Sequence, residues 1–358
     1  MSKPTRNPDV KLDNISSSRY ISGMTRNGNT LKRPPISLQY SGSKGVLFRA
    51  DCLDLLANIS EGTIDCAFAD PPFNLSKDYA IPDFADDMET EAYRSWCHAW
   101  LLELSRVLKP GGALFLYHWP KWLIDLGAWL NTLPALQYKS WIALKMKSGF
   151  PISGRLHPAH YGLLYYAKKG AKATFHVVRS QSPTCRHCGK LIRDYGGYRS
   201  KFTKFEDEHG IPWIQISDFW EDTRPARQDK TRLLINELPM HVPERAILLA
   251  TNPGDIILDC FGGGGSTFHA AQQHQRYWIG GEIADSSAIL ARINAVFGAQ
   301  ERLPPANLVR CFKKPFRQRY LSGIRFTRDR PITKVVAPEK KMASLHEDAS
   351  KSRILKSP

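Results

Sequence analysis

Asp70-Pro71-Pro72-Phe73 puts an acceptor, a rigid backbone and an aromatic ring into four consecutive positions. The Asp70 carboxylate can accept a hydrogen bond, and so can the Pro71 carbonyl. Pro72 restricts itself and the residue before it, so that carbonyl is aimed rather than free. The set suits a planar amine. An exocyclic amine on adenine or cytosine is a poor nucleophile, because its lone pair is delocalised into the ring. Two acceptors on its hydrogens let the nitrogen pyramidalise toward an electrophile, with Phe73 lying on the ring face. Asp70 would orient and polarise rather than act as a strong base. Inside a duplex such an amine is out of reach, so the base would have to be flipped and held by stacking. The competing reading is an ordinary turn, since Asp and Pro are common turn residues.

A second segment, Phe261-Gly262-Gly263-Gly264-Gly265-Ser266-Thr267, offers bare backbone. Glycines allow positive φ and let a ligand lie against the chain. A helix opening near Ser266 would present free N–H groups. Glu282 stands about twenty residues on, where an acidic side chain can accept from ribose hydroxyls. A phosphate-binding P-loop would need a Gly-Lys-Ser/Thr sequence, which is absent. Gly-x-Gly-x-x-Gly is not matched either, because Thr267 stands where the third glycine would fall. A single-nucleoside cofactor such as S-adenosylmethionine fits best, and a tight turn without a ligand is the alternative.

The elements that must carry these turns follow from the apolar pattern. Val46–Arg49, Ile64–Ala69, Ala113–Tyr117, Asp255–Cys260 and Tyr277–Glu282 read as strands. Trp141–Leu144 and Tyr161–Ala167 read as a strand pair. Leu53–Ile59, Thr90–Leu108, Trp122–Leu130, Glu237–Thr251, Thr267–Gln275 and Asp285–Phe297 read as helices. Strands alternating with helices imply a mostly parallel sheet covered on both faces. Residues 74–90 are acidic and irregular, as a loop beside a site would be. Residues 1–40 are expected as a flexible polar arm. A catalytic α/β domain is expected over 41–169 and 236–307, with an insertion over 170–235 and a basic flexible tail over 308–358.

The chain carries 50 Lys and Arg against 34 Asp and Glu, a formal charge of +16. Such an excess favours a polyanion, because neutralising phosphates releases counterions. A solvated basic surface is the plainer alternative. No apolar run is long enough to cross a bilayer, and the polar N-terminus lacks a signal-peptide core. A cytoplasmic protein with no membrane partner is expected. The seven cysteines are odd in number and, apart from one pair, scattered, which fits reduced thiols rather than a disulfide framework.

With these residues in view, the chain resembles the beta group of DNA amino-methyltransferases, which methylate adenine N6 or cytosine N4 from S-adenosylmethionine. The family's Asp/Asn/Ser-Pro-Pro-Tyr/Phe/Trp motif is matched by residues 70–73, and its Phe-x-Gly-x-Gly turn by the stretch from Asp259 to Thr267. The resemblance covers about residues 45–300. The catalytic motif precedes the cofactor motif, a circularly permuted order, and this implies a three-layer Rossmann-like methyltransferase fold. It makes Asp70, Pro71, Pro72 and Phe73 catalytic. It assigns cofactor binding to Asp259, Phe261, Gly262, Gly263, Gly265, Ser266, Thr267 and Glu282. Asp51 would touch the cofactor adenine, while Asn236 and Leu238 would line its methionine end. An aspartate in the first motif position goes more often with adenine, so the implied substrate is adenine N6 in double-stranded DNA, with cytosine N4 as the alternative. A catalytically silent DNA-binding module and an RNA methyltransferase are more distant readings. A cognate restriction endonuclease and a homodimer are partners the resemblance admits.

By the same resemblance, the region 147–235 corresponds to the segment that recognises target sequence. Arg193, Tyr198, Arg199 and Lys201 mix cations with aromatics and glycines, and Arg224 and Arg227 extend the character. They could follow a phosphate backbone or reach base edges; the alternative is a solvated basic loop. Cys185 and Cys188 have the spacing of half a structural zinc site. Four ligands are usual and no second pair exists, so a reduced turn stands beside the zinc reading.

Overall fold

Short apolar runs that end in turn residues form the centre of the sheet, and amphipathic stretches cover it. The computed structural model describes residues 25–26, 29–30, 34–75, 86–145, 153–154, 156, 158–181, 187–189, 213–221, 238–298 and 303–321. All lie in the first of two compact units, Met1–Gly323; the second is Ile324–Pro358.

The strands are β1 (Thr25–Arg26), β2 (Asn29–Thr30), β3 (Ser37–Ser41), β4 (Gly45–Arg49), β5 (Ile64–Ala69), β6 (Leu108–His118), β7 (Leu136–Lys145), β8 (His160–Lys168), β9 (Arg179–Gln181), β10 (Trp213–Gln215), β11 (Phe219–Trp220), β12 (Ile256–Asp259) and β13 (Tyr277–Glu282). Nine of them form one sheet in the order β11-β7-β8-β6-β5-β12-β13-β4-β3. From β6 to β4 every neighbour is parallel; β8 runs antiparallel between β6 and β7, and β3 closes the other edge antiparallel. The order reverses between β5 and β12. Each leads away from the other, so their C-terminal ends open a crevice, the usual ligand position in an open α/β sheet.

The helices are α1 (Cys52–Ala57), α2 (Thr90–Val107), α3 (Pro120–Leu130), α4 (His241–Ala250), α5 (Ser266–Gln273), α6 (Ser287–Phe297), α7 (Ala306–Arg310) and α8 (Lys314–Phe316). One face of the sheet carries α1, α2 and α3, the other α4, α5 and α6. Leu114, Phe115, Leu116 and Tyr117 of β6 are all buried, as a strand covered on both sides requires. The Rossmann-like three-layer arrangement is therefore present. Asp65 ties the two central strands at their starts: its carboxylate accepts the Ile256 N–H at 2.9 Å and the Lys109 ammonium at 2.8 Å. This fixes the register that brings the far ends of β5 and β12 level.

Three boundaries differ from expectation. Ser37–Ser41, expected within the arm, is an edge strand on β4. The region 170–235 does not stand wholly apart: β9 pairs with β10, but β11 adds to β7 in the main sheet. Trp220 is buried there, with the Arg245 guanidinium over its ring. Nor is the chain beyond 308 simply a tail. Residues 306–321 pack on the domain, with Phe312 and Phe316 against Phe48 at centroid distances of 5.5 and 5.3 Å. Ser60 N–H donates to the Cys311 carbonyl at 2.7 Å and Lys313 N–H to that of Asn58 at 2.9 Å.

Candidate active site

The pairing of β12 with β5 matches Ile257 with Cys66 and Leu258 with Ala67. Continuing that parallel register sets Cys260 level with Ala69 and Phe261 level with Asp70. The two turns singled out in the sequence, almost two hundred residues apart, thus leave adjacent strands at the same end of the sheet.

On the β12 side, the glycine turn is shaped by its backbone. Gly265 has φ +79° and caps α5, and a Cβ there would stand 3.1 Å from Ile289 Cγ2. A side chain would suffer on both counts. Gly262 N–H donates to the Gly281 carbonyl at 2.8 Å, which seats the turn on β13. Phe261 lies edge-on to Trp100 and Trp96 of α2. Asp259 accepts the Phe261 N–H at 2.8 Å and a hydrogen bond from the Thr267 side chain. Ser266 and Thr267 are buried in the first turn of α5.

Glu282 ends β13, and its two carboxylate oxygens accept the N–H groups of Gly263 and Ala284 at 2.7 and 2.8 Å. The Ile283 N–H is a third backbone donor to this carboxylate; a carboxylate has about four lone-pair positions, so acceptor capacity remains for one hydroxyl. Burial raises the carboxyl of Glu282 above its ordinary range and pushes that of Asp259 up to about 7. Asp51 follows β4, is buried, and caps α1 by accepting the Leu53 N–H at 2.9 Å. Burial first, then the nearby charges of Asp259 and Asp51, lifts the Cys260 thiol well above the usual range. Asp51, Asp259 and Glu282 thus gather around one end of the sheet.

On the β5 side, Asp70 is half-buried. Burial raises the phenol of Tyr161, with the charge of Asp70 adding to it, which sets these two side chains near one another. Phe73 is 6% exposed. It stacks on His118 at 4.6 Å and leans on Tyr117 and Tyr161 at 5.7 and 5.8 Å. Trp119 meets Tyr161 edge-on at 5.5 Å. Beyond the motif, Asp86 accepts the Asn74 and Leu75 N–H groups at 2.6 and 3.0 Å. The result is a carboxylate beside a cluster of aromatic rings.

Sequence reasoning did not pick out Tyr161, Trp119 and Asp86. Tyr161 and Trp119 could have been found as aromatics at strand ends; Asp86 carries no local signal. Leu238 is buried in the apolar cluster that also contains Phe73 and Val242. Asn236, Arg193, Tyr198, Arg199, Lys201, Arg224, Arg227 and Cys185 lie outside the described residues. Cys188 is exposed, and among the described residues no group of three or more His, Cys, Asp or Glu gathers as a metal site.

A Rossmann-like α/β sheet that carries a carboxylate-and-aromatic turn beside a glycine turn is the arrangement that the family resemblance implies. The family model described as DNA methylase, of N6/N4 type, matches residues 64–291, well over half of the chain, and the chain belongs to that family. It is 38% identical over 292 residues to type II methyltransferase M.BamHI of Bacillus amyloliquefaciens, covering 80% of this chain and 66% of that protein. It is 29% identical over 238 residues to type II methyltransferase M.HpaI of Haemophilus parainfluenzae, covering 66% of this chain and 69% of that protein. Among solved structures, the PvuII DNA methyltransferase, titled cytosine-N4-specific, matches with a TM-score of 0.51 at 16% identity. That match covers 70% of this chain and 85% of that one, and it shows the fold.

Proposed function

We propose that this protein transfers a methyl group from S-adenosylmethionine to the N6 amine of a flipped adenine in double-stranded DNA. The observation that carries the reading is the adjacency of the Asp70 turn and the glycine turn at the reversal point of the sheet. The residues fit the cofactor: Glu282 keeps acceptor capacity for a ribose hydroxyl, and the Gly263–Gly265 backbone leaves room for close approach. S-adenosylmethionine, when bound, supplies an electrophilic methyl group on a sulfonium.

The chain's own residues do the rest. Asp70 and the Pro71 carbonyl accept from the two amino hydrogens and direct the nitrogen lone pair out of the ring. Trp119 and Tyr161, both only partly buried, are the rings on which an extruded base would stack, and Phe73, buried behind them, supports Tyr161. Asp70 at the first motif position supports adenine, since in the family resemblance aspartate there goes more often with that base. The basic excess of the chain supports a duplex partner. Basic residues of the 170–235 region make the target-sequence contacts. The reading places the protein in the cytoplasm, and a cognate restriction endonuclease is a partner that the family resemblance admits.

Labelled methyl transfer to unmethylated plasmid DNA tests the reading. Asp70→Ala is expected to keep cofactor affinity and lose turnover by about a hundredfold or more, as for a lost acceptor in a preorganised site. Turnover near wild type would reject the role of Asp70. Incorporation into RNA but not DNA would reject the substrate.

A further inference from the structure

The turn Asp70-Pro71-Pro72 has an unusual weakness. Two of its three residues lack an N–H, so past Asp70 the backbone can be held only through its carbonyls. In the structure the anchor comes from two buried polar side chains on other elements. Tyr93, on the first turn of α2, hydrogen-bonds the Pro72 carbonyl. The same hydroxyl lies 2.7 Å from His118 Nε2, at the end of β6. The Trp119 N–H donates to His118 Nδ1 at 2.7 Å.

These three contacts have one consistent direction. Nδ1 is used as an acceptor, so the neutral ring carries its proton on Nε2. Nε2–H then donates to the Tyr93 oxygen, which leaves the Tyr93 proton for the Pro72 carbonyl. Burial holds the imidazole neutral by driving its pKa down to about 3. His118 is 0% and Tyr93 1% exposed. The chain of bonds therefore runs Trp119 N–H, His118, Tyr93, Pro72 carbonyl, with no donor facing a donor.

We propose that Tyr93 and His118 are positioning residues that aim the amine-accepting turn through the Pro72 carbonyl. The inference rests on the methyl-transfer reading above. Proline already fixes φ at Pro72; holding its carbonyl fixes ψ, and with it the peptide plane leading to Phe73. The His118 ring then supports the Phe73 ring from below by stacking. One pair of side chains thus sets the peptide that directly follows the amine-accepting Pro71 carbonyl, and with it the ring of Phe73. Neither touches substrate. Both act through the turn.

The test compares full-length wild type, Tyr93→Phe, His118→Gln and His118→Leu. It measures single-turnover methyl transfer to a plasmid that the wild type methylates, at saturating labelled S-adenosylmethionine. Tyr93→Phe keeps the ring and loses the bond. It is expected to slow the transfer step about tenfold, the size of one net hydrogen bond. Cofactor and duplex dissociation constants are expected to stay within about twofold of wild type. Glutamine can accept from Trp119 and donate to Tyr93, so His118→Gln is expected to retain most of the rate, whereas His118→Leu loses as much as Tyr93→Phe. If His118→Leu fails to fold, Tyr93→Phe and His118→Gln still decide. A Tyr93→Phe transfer rate equal to wild type overturns the proposal, and so does a loss confined to binding. A wild type without transfer to any DNA overturns the function reading instead, which separates the two failures.

Discussion

Replacing Phe312 by alanine tests whether the catalytic domain extends past residue 308. The ring is 1% exposed, edge-on to Phe48 at 5.5 Å and stacked on Phe316 at 5.0 Å. The backbone bonds beside it, from Ser60 to Cys311 and from Lys313 to Asn58, do not involve the side chain and survive the change. The loss is then the transfer energy of a fully buried ring plus the cavity between Phe48 and Phe316, about 3–5 kcal/mol. At about 2.1 cal/mol/K of unfolding entropy per residue, a unit of about 300 residues then falls in melting temperature by roughly 5–8 °C. Thermal unfolding followed by circular dichroism reads it directly. Arg310→Ala, an exposed change in the same segment, is the control, expected within about 0.5 kcal/mol of wild type. A Phe312→Ala protein that melts with the wild type would mean that residues 306–321 contribute nothing to the core, and the packing argument would fail.

Gly265→Ala forces a side chain into the left-handed region and against Ile289, and is expected to cost about 1–2 kcal/mol in urea unfolding. Glu282→Ala is expected to weaken S-adenosylmethionine binding by about ten- to a hundredfold in calorimetry, the size of a lost charge-assisted contact. Two buried groups give opposite pH slopes. Asp259 holds its proton up to about 7 in the native state, while the unfolded chain releases it in the ordinary carboxylate range. The native state then binds more protons, so this group makes stability fall as pH rises through that window. His118, driven down to about 3, binds fewer protons in the native than in the unfolded state, so its contribution is lost as pH falls below about 6.5. Melting curves between about pH 4 and 7 check both signs. Asp259→Asn removes the falling component and His118→Gln the rising one.

The strands that carry chemistry were legible because a strand buried on both faces must be nearly continuous in apolar residues, as Ile64–Ala69 and Ile256–Asp259 are. Their turns were legible because proline and glycine have few other uses at a strand end. The edge strand Ser37–Ser41 was not, since one polar strand paired on one side has little apolar signal. Residues 306–321 were read by their cations. Yet Leu308, Phe312, Phe316 and Tyr320 recur every fourth residue, a helical stripe hidden among lysines and arginines. The Tyr93–His118 pair joins residues 25 apart through the sheet and helix packing. No local pattern announces a polar side chain that serves another element's carbonyl. The glycine turn was legible in the sequence, but the carboxylates of Asp51, Asp259 and Glu282 could be brought together only by the strand order.

The most direct test of the central claim is nucleoside mass spectrometry of DNA from cells that express the protein, with Asp70→Ala expression as reference. N6-methyldeoxyadenosine is expected in the wild-type sample and none above background in the variant. N4-methyldeoxycytidine alone would contradict the choice of base, and unmodified DNA from wild-type cells would contradict the methyl transfer itself.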